Sequence, residues 1–537
     1  MSPSQFSPAA LQATALARLL GRWDDAGPLH RGLAERIRLL ILDGRLPLGV
    51  RLPSERGLAE ALGLSRTTVA AAYEALRTTG HARSRRGSGT VTELPGPARP
   101  ASVAPAARGL LDLTRAALPA ASLVAGALRS ATQDLPLFLG HAGYELRGLP
   151  HLRARIADHY TERGLPTDPD EVLVTLGGQH AIHLLASTVI RRGDRALVEA
   201  PTYPHAMGAL REAGARLVVT PVHSVAPGTQ PDGGRPASAA GAGTMPAPRP
   251  GVPGPEDGWD AAGLASTLGT ARPALAYVMP RHHNPTGSTM SPATRAALLR
   301  AAAAGGTLVV ADETTAGLSL DGSPPGPALG GEADAGFAGP GGRRRDGAGV
   351  AHIGSLGKLF WGGLRIGWIR AERALINRVV AGRPAHDLGT PIVEQLAAAE
   401  LLDRLPEAVA ERAVQLRQAS SALARLAPEW LPGWELPPVA GGLASWARLP
   451  SPSSSALAIA AREEGLLLPA GPWFGVDGRS FERFVRLPLT LEAAELDTVV
   501  PALSRAWARV EQASAASPGG RGQRERGGAR PLGVELV

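Results

Sequence analysis

Val350-Ala351-His352-Ile353-Gly354-Ser355-Leu356-Gly357-Lys358 opens as a short apolar run and ends in a small polar turn, with Arg365 seven residues beyond the lysine. A run of this length closed by Gly and Ser reads as a buried strand, so the turn falls at a strand's carboxyl end. Lys358 is the only lysine: of 56 Lys and Arg residues, 55 are Arg. Wherever plain positive charge suffices, the chain uses guanidinium, which cannot condense stably with an aldehyde as a deprotonated amine can. For one residue, survival of a compositional bias is the plain alternative; its neighbours along the chain weigh against it.

Six more short apolar runs flank this one, at 172–176, 195–199, 216–220, 274–279, 307–311 and 364–369, with helical segments such as 179–191 between most of them. Alternating strands and helices predict a mainly parallel seven-stranded α/β sheet covered on both faces, with ligands beyond the strands' carboxyl ends. The polar residues of interest fall there. Gly178 and Gln179 follow the first run and open a helix, where backbone N–H groups can hold a phosphate. Tyr203 follows the second and can stack on a flat ring; Asn284 follows the fourth and can donate to a phenolic oxygen. Asp312 ends the fifth and can pair with a pyridinium N–H, while Ser355 and Arg365 can add to a phosphate site. Each has an ordinary alternative: a strand-helix turn, a core aromatic, an Asn-Pro turn, a helix cap, scattered surface polarity. Together they supply what pyridoxal 5'-phosphate requires: an amine, an acid at the ring nitrogen, a donor to the phenolic oxygen, a stacking ring and a phosphate cradle.

Net charge is +8, and residues 29–92 carry 11 Arg against 5 Asp or Glu, a local excess of 11 − 5 = +6. A small basic module is the footprint of a phosphate-backbone partner, although a solvated basic face gives the same count. Leu33, Ile37, Leu40 and Ile41 repeat at helical spacing, with a stop near Gly44. Ser54 is a plausible N-cap for a second helix to Leu62, and Gly63-Leu64-Ser65 turns into a third from Arg66 to Thr79. Two helices joined by a short Gly-containing turn make a helix-turn-helix, whose recognition helix would present Ser65, Arg66, Thr67 and Thr68 to a major groove. Residues 81–92 read as a two-stranded wing with Arg85 and Arg86 at its basic tip.

A hydrophobic content of 44% supports sizeable cores, and 537 residues imply several domains. No run of 18 apolar residues occurs, Met1 to Ala10 carry no export signal, and there are no cysteines. These features predict a cytoplasmic protein without a membrane span or disulfides. Residues 1–28 read as loosely structured; the first domain is drawn at 20–92 and a Pro-rich linker at 93–109. A large domain at 110–405 follows, with disordered insertions near 223–258 and 320–349, then a small α+β subdomain at 406–512 and a disordered tail at 513–537.

Gly44-Arg45-Leu46-Pro47, Leu52-Pro53-Ser54-Glu55-Arg56, Ser65-Arg66-Thr67-Thr68-Val69 and Tyr73-Glu74-Ala75-Leu76 resemble, in order and spacing, the winged helix-turn-helix of the GntR family. That resemblance implies an α+β DNA-binding fold with contacts at Arg56, Arg66 and the wing. From Gly178 to Arg365 the order and spacing of these residues resemble class I aminotransferases of fold type I. The resemblance implies Lys358 as the lysine that takes the cofactor's aldehyde, Asp312 at the pyridinium, Asn284 at the phenolic oxygen, Tyr203 stacked on the ring, and Gly178, Gln179, Ser355 and Arg365 around the phosphate. It also implies Tyr144 reaching the phosphate of a neighbouring subunit, hence a homodimer, and Arg486 gripping a substrate carboxylate. The joined order resembles the MocR branch of GntR regulators over about residues 20–510. It implies a double-stranded DNA operator and pyridoxal phosphate or an amino compound as effector, with no metal.

The chain departs from the pattern at Ala70, where some GntR members carry Arg, and at Gly357, where many aminotransferases carry Ser. Thr314 stands where relatives usually place a Tyr that donates to the phenolic oxygen. Two rivals stay open: a working class I aminotransferase with an accessory DNA-binding module, and a DNA-binding protein on a cofactor-free scaffold.

Overall fold

The computed structural model of the chain describes residues 11–21, 28–42, 45–47, 49–79, 81–85, 89–93, 110–224, 257–331 and 349–516. They fall into two compact units, one of residues 1–107, 455–465 and 502–537, the other of residues 108–454 and 466–501. The first begins with α1 (Ala13–Leu20), α2 (Leu29–Leu42), α3 (Glu55–Leu62), α4 (Arg66–Thr78), β1 (Ala82–Arg85) and β2 (Gly89–Thr92). Apolar residues at helical spacing put Leu33, Ile37, Leu40, Leu58, Val69, Tyr73 and Leu76 into one core. Ser54 caps α3 by accepting from Gly57 N at 3.1 Å, Gly63 closes it at φ +67°, and Ser65 caps α4 by accepting from Thr68 N at 3.0 Å. β1 and β2 pair antiparallel with Arg85 opposite Gly89, forming the wing.

The expectation of loose structure before residue 29 is corrected by α1. Leu16 and Leu20, four residues apart, are fully buried in the same core, each contributing about 1.5–3 kcal/mol. The buried Arg36 donates to the Leu20 carbonyl at 2.6 Å and secures the helix end.

The second unit begins with β3 (Leu111–Asp112), α5 (Val124–Asp134) and α6 (Pro150–Glu162). Its alternating part runs β4 (Val172–Thr175), α7 (Gly178–Val189), β5 (Arg195–Ala200), α8 (Pro204–Glu212), β6 (Arg216–Pro221), α9 (Ala261–Ala271), β7 (Leu275–Val278), α10 (Pro292–Gly305), β8 (Leu308–Asp312), β9 (Gly349–Ser355) and β10 (Gly367–Arg370). Then come α11 (Arg373–Gly382), α12 (Ile392–Asp403), α13 (Leu405–Trp430), β11 (Ala444–Arg448), α14 (Ser454–Glu463), β12 (Leu466–Leu467), β13 (Phe484–Pro488) and α15 (Ala493–Ala516). Residues 455–465 in α14 and the C-terminal part of α15 group with the first unit.

The seven strands order as β4-β10-β9-β8-β7-β5-β6, parallel except that β10 runs antiparallel to both neighbours. The five residues of β8 are all buried, as a sheet covered on both faces requires. The last strand starts at Gly367 rather than residue 364, because Gly362–Leu364 form a 3-10 turn and Arg365 is left-handed at φ +52°. Three boundaries also shift. Residues 111–112 pair with β12 rather than with the large sheet, residues 320–331 are ordered with Ala328 and Leu329 buried, and α15 runs on to Ala516. The remainder of both expected insertions, nearly all of the linker, most of the tail and Gly44 lie outside the described residues.

Candidate functional site

β8 delivers Asp312 at its carboxyl end, 3% exposed. Its Oδ2 accepts from Tyr277 Oη at 2.6 Å, and its Oδ1 accepts from Thr314 N at 3.0 Å and Thr314 Oγ1 at 2.7 Å. Tyr277 sits on the adjacent parallel strand β7 and is itself fully buried. Burial pushes the Asp312 carboxyl up, against these donors and the charge of Lys358. Burial and the Asp312 charge push the Tyr277 phenol well above its ordinary value, so it stays a donor. The hydrogen-bond donors to Asp312 are neutral, leaving a carboxylate that a protonated ring nitrogen would complete.

Lys358 follows β9. Burial and the charge of Arg486 draw its amine down to about 8, with Asp312 pulling the other way and Arg365 adding to the fall. Asp312, Arg486 and Arg365 thus lie within electrostatic reach of this amine. Asn284, in the loop after β7, has a buried Oδ1 with no hydrogen-bond partner, and Gln179 has a buried Oε1 in the same condition. Buried polar atoms are normally paired, so these two amide oxygens leave acceptors open to a ligand's donors, while Gln179 Nε2 donates to the His205 carbonyl at 3.1 Å. Tyr203, at the start of α8, has its phenol raised to about 12 by burial and then by Asp312.

The strand-to-helix turn after β4 forms a cradle. Gly177 is at φ +84°, and a Cβ there would meet Arg365 Nη2 at 3.0 Å; a Cβ on Gly178 would meet Thr314 Cγ2 at 3.0 Å. Bare backbone at the start of α7 therefore faces Arg365, Thr314 and Ser355, the arrangement that exposes N–H groups to an anion. Arg365 Nη2 donates to the Leu176 carbonyl at 2.7 Å. Ser355 Oγ accepts from Gly357 N and donates to the Ile366 carbonyl, both at 3.0 Å, which fixes the turn into Lys358. Arg486, on β13, is 4% exposed; its Nη2 donates to the Thr114 carbonyl at 2.5 Å and its Nε is unpaired. Its guanidinium lies 5.1 Å above the Phe474 ring, and Phe474 O accepts from Thr202 N beside Tyr203.

Residues 29–91 match the model of bacterial regulatory proteins of the gntR family, and residues 139–232 and 256–503 match aminotransferase class I and II. The probable rhizopine catabolism regulatory protein MocR of Rhizobium meliloti is 35% identical over 232 residues, 36% of this chain and 45% of that protein. The transcriptional regulator TauR of Rhodobacter capsulatus is 27% identical over 516 residues, covering 86% and 92% of the two chains. This chain belongs to the MocR-type GntR regulators. Its aminotransferase-type fold is also similar to the crystal structure of LysN, the α-aminoadipate aminotransferase of Thermus thermophilus complexed with N-(5'-phosphopyridoxyl)-L-leucine. That match has a TM-score of 0.61 and 25% identity over 76% of this chain and 94% of the other.

In this MocR-type chain Lys358 and Tyr203 each lie within electrostatic reach of Asp312, Arg365 and Arg486, the turn into Gly178 packs on Arg365 and Ser355, Gln179 follows in α7, and Asn284 lies in the loop after β7. Tyr144 stands apart at the surface, 69% exposed. On the DNA-binding unit, Arg56, Ser65, Arg66 and Thr67 are exposed at the N-terminal ends of α3 and α4, and Thr68 is half-buried. Arg66 lies 3.5 Å from Glu55 with 73% of its side chain exposed. Ser65 Oγ is shared between capping α4 and hydrogen bonds to the Thr67 and Thr68 hydroxyls at 2.8 Å. Arg85 ends β1, and Arg86 lies outside the described residues.

Four contributors were missed in the sequence. Tyr277 reads there as an interior strand residue, and only strand register shows it beside Asp312. His205 has its ring 5.2 Å from Tyr203 and 5.8 Å from Trp473, and burial followed by the Lys358 and Arg486 charges lowers its pKa. The carbonyls of Thr114 and Ala116 accept from Arg486 and Lys358 and carry no sequence signal at all. Among the described residues, no group of three or more His, Asp or Glu is placed to hold a metal, and no helix is long and apolar enough to cross a membrane.

Proposed function

We propose that this regulator binds pyridoxal 5'-phosphate at Lys358 and reports the cofactor, or an amino compound joined to it, to its DNA-binding module. The observation that carries the reading is an amine held near pKa 8 within reach of the buried carboxylate of Asp312, whose hydrogen-bond donors are all neutral. When bound, the cofactor supplies an aldehyde and an electron-withdrawing pyridine ring. Lys358 gives the nucleophilic amine. Asp312, oriented by Tyr277 and Thr314, holds a proton on the ring nitrogen. Asn284 donates to the phenolic oxygen and Tyr203 stacks. Gly178, Gln179, Ser355 and Arg365 hold the phosphate, and Arg486 takes a ligand carboxylate in a bidentate grip.

Tyr144 completes the phosphate site of a second subunit in a homodimer. Leu137 and Leu139, 76% and 70% exposed, share its stretch of chain, and Leu388 adjoins it, because Gly389 packs against the backbone of Glu145. An exposed apolar patch of this kind supports an interface with a second copy. Paired modules would place Arg56, Ser65, Arg66, Thr67 and Thr68 on successive half-sites of a double-stranded operator in the cytoplasm, with Arg85 and Arg86 on the backbone. Reductive trapping tests the reading. Borohydride should fix one phosphopyridoxyl group per chain on Lys358, and Lys358→Ala should take up none; label on any other residue refutes it.

A second reading, sustained transamination, is favoured by the buried Arg486 facing the same amine. Many turnovers with an amino acid and a keto acid would establish it.

A further inference from the structure

Within the second unit, three cationic side chains donate to three carbonyls of one short stretch. Arg486 Nη2 holds Thr114 O at 2.5 Å, Lys358 Nζ holds Ala116 O at 2.8 Å, and Arg412 Nη2 holds Pro119 O at 2.7 Å. The stretch is fixed at both ends. Upstream, β3 pairs with β12 and Leu113 N donates to Leu467 O at 2.8 Å. Downstream, the buried Arg412 also binds the carbonyls of Leu359 and Phe360, and Ala121 N donates to Phe360 O. Its middle is held by the two side chains assigned above to ligand.

We infer that residues 113–117 are a strap that occupies the ligand-binding cations and so determines which ligands the site accepts. The inference rests on the pyridoxal phosphate reading. A lysine joined to the cofactor's aldehyde no longer has the three N–H donors of an ammonium, and an arginine that grips a carboxylate turns its fork away from Thr114. The cofactor, whose aldehyde condenses with the Lys358 amine with loss of water, displaces the strap from Lys358 alone, and a ligand carboxylate displaces it from Arg486 alone. Cofactor on Lys358 together with a carboxylate on Arg486 frees the whole segment, while Arg412 keeps Pro119 as its pivot. The freed segment begins just after β3, which stays paired with β12.

Limited trypsin digestion reads the strap directly. The Arg115–Ala116 bond lies between the two held carbonyls, and the Arg115 side chain is 74% exposed. Loss of one hydrogen bond to a charged group shifts an opening equilibrium by about tenfold. Cleavage after Arg115 should therefore accelerate about tenfold with pyridoxal phosphate, and further when glutarate is added. Cleavage after Arg129 in α5, the reference for general unfolding, should not change. Ligand-free Lys358→Ala and Arg486→Gln should each show the faster cut. Absorbance and borohydride trapping in the same samples establish whether the cofactor is on Lys358. A protein that takes up the cofactor yet is cut after Arg115 at an unchanged or slower rate overturns the strap and leaves the cofactor reading standing. A protein that takes up none refutes the cofactor reading. The ligand-free variants then judge the strap alone, and parental cutting in both overturns it.

Discussion

At the scale of single residues, the chemistry depends on the protonation of one amine. Burial and the Arg486 charge lower Lys358 to about 8, so its reactive neutral form grows as pH rises toward that value and saturates above it. At pH 7 about one amine in ten is neutral, against roughly one in several thousand for an ordinary lysine. Stopped-flow capture of pyridoxal phosphate should accelerate with pH and level off above about 8; a rate still climbing past pH 10 would contradict the placement of Arg486 beside it. Tyr277 makes a second prediction. Tyr277→Phe leaves a buried Asp312 oxygen without its donor, at a cost of about 1–3 kcal/mol in denaturant unfolding. If Tyr277 also positions Asp312 for the ring, the loss will be larger with cofactor bound than without; equal losses would reduce it to a packing role. These residues differ in how visible they were in the sequence. Lys358, Asp312 and Asn284 each end or follow an apolar run, and that pattern survives folding unchanged. Thr314 was legible only as a missing phenol; in the structure its hydroxyl donates to the Asp312 carboxylate instead.

At the scale of elements, periodicity located the helices and strands well where burial is one-sided or complete. α3 begins and ends where Ser54 and Gly63 dictate, because cap chemistry is local. α1, as short as α3, went unread because no capping side chain marks its start at Gln12, while its stability comes from Leu16 and Leu20 reaching a core built by later sequence. β10 was drawn too early because its apolar residues begin within a 3-10 turn that only the left-handed Arg365 terminates. For the same reason the wing's support is not readable locally: Arg77 on α4 donates to Thr90 on β2 at 3.2 Å. The first turn of α4 separates two roles. Ser65→Ala removes the cap and should lower stability by about 1 kcal/mol, seen in thermal unfolding without DNA. Arg66→Ala should leave that transition nearly unchanged, since its contact with Glu55 is a surface one, and cost about 1–3 kcal/mol of DNA affinity at one base position. Equal weakening on specific and random DNA would exclude a base contact for Arg66.

At the scale of the whole molecule, the buried ion pair Arg163–Glu313 ties α6 to the end of the central sheet, with N···O at 2.9 Å. Burial opposes the charge on Glu313, but Arg163 and His352 overcome it and hold the carboxyl well below its ordinary range. A depressed folded-state pKa contributes stability that is present above the unfolded value and lost as pH falls, so acid should loosen this unit below about pH 4. Glu313→Gln should cost about 3–5 kcal/mol at pH 7 and flatten that acid limb. Assembly makes the more demanding claim. If Tyr144 of one subunit serves the site of the other, Lys358→Ala and Tyr144→Ala are complementary. Each pure variant has only defective sites, yet a mixed dimer contains one site with both residues intact. Random reassortment of equal amounts should restore tight cofactor binding at about one site in four, which titration against absorbance can count. Within a single subunit the two substitutions would simply add, and no tight sites would return. Tyr144 is 69% exposed and so is left uncovered by its own chain, which is why the mixed dimer, and not the single subunit, is the test of its role.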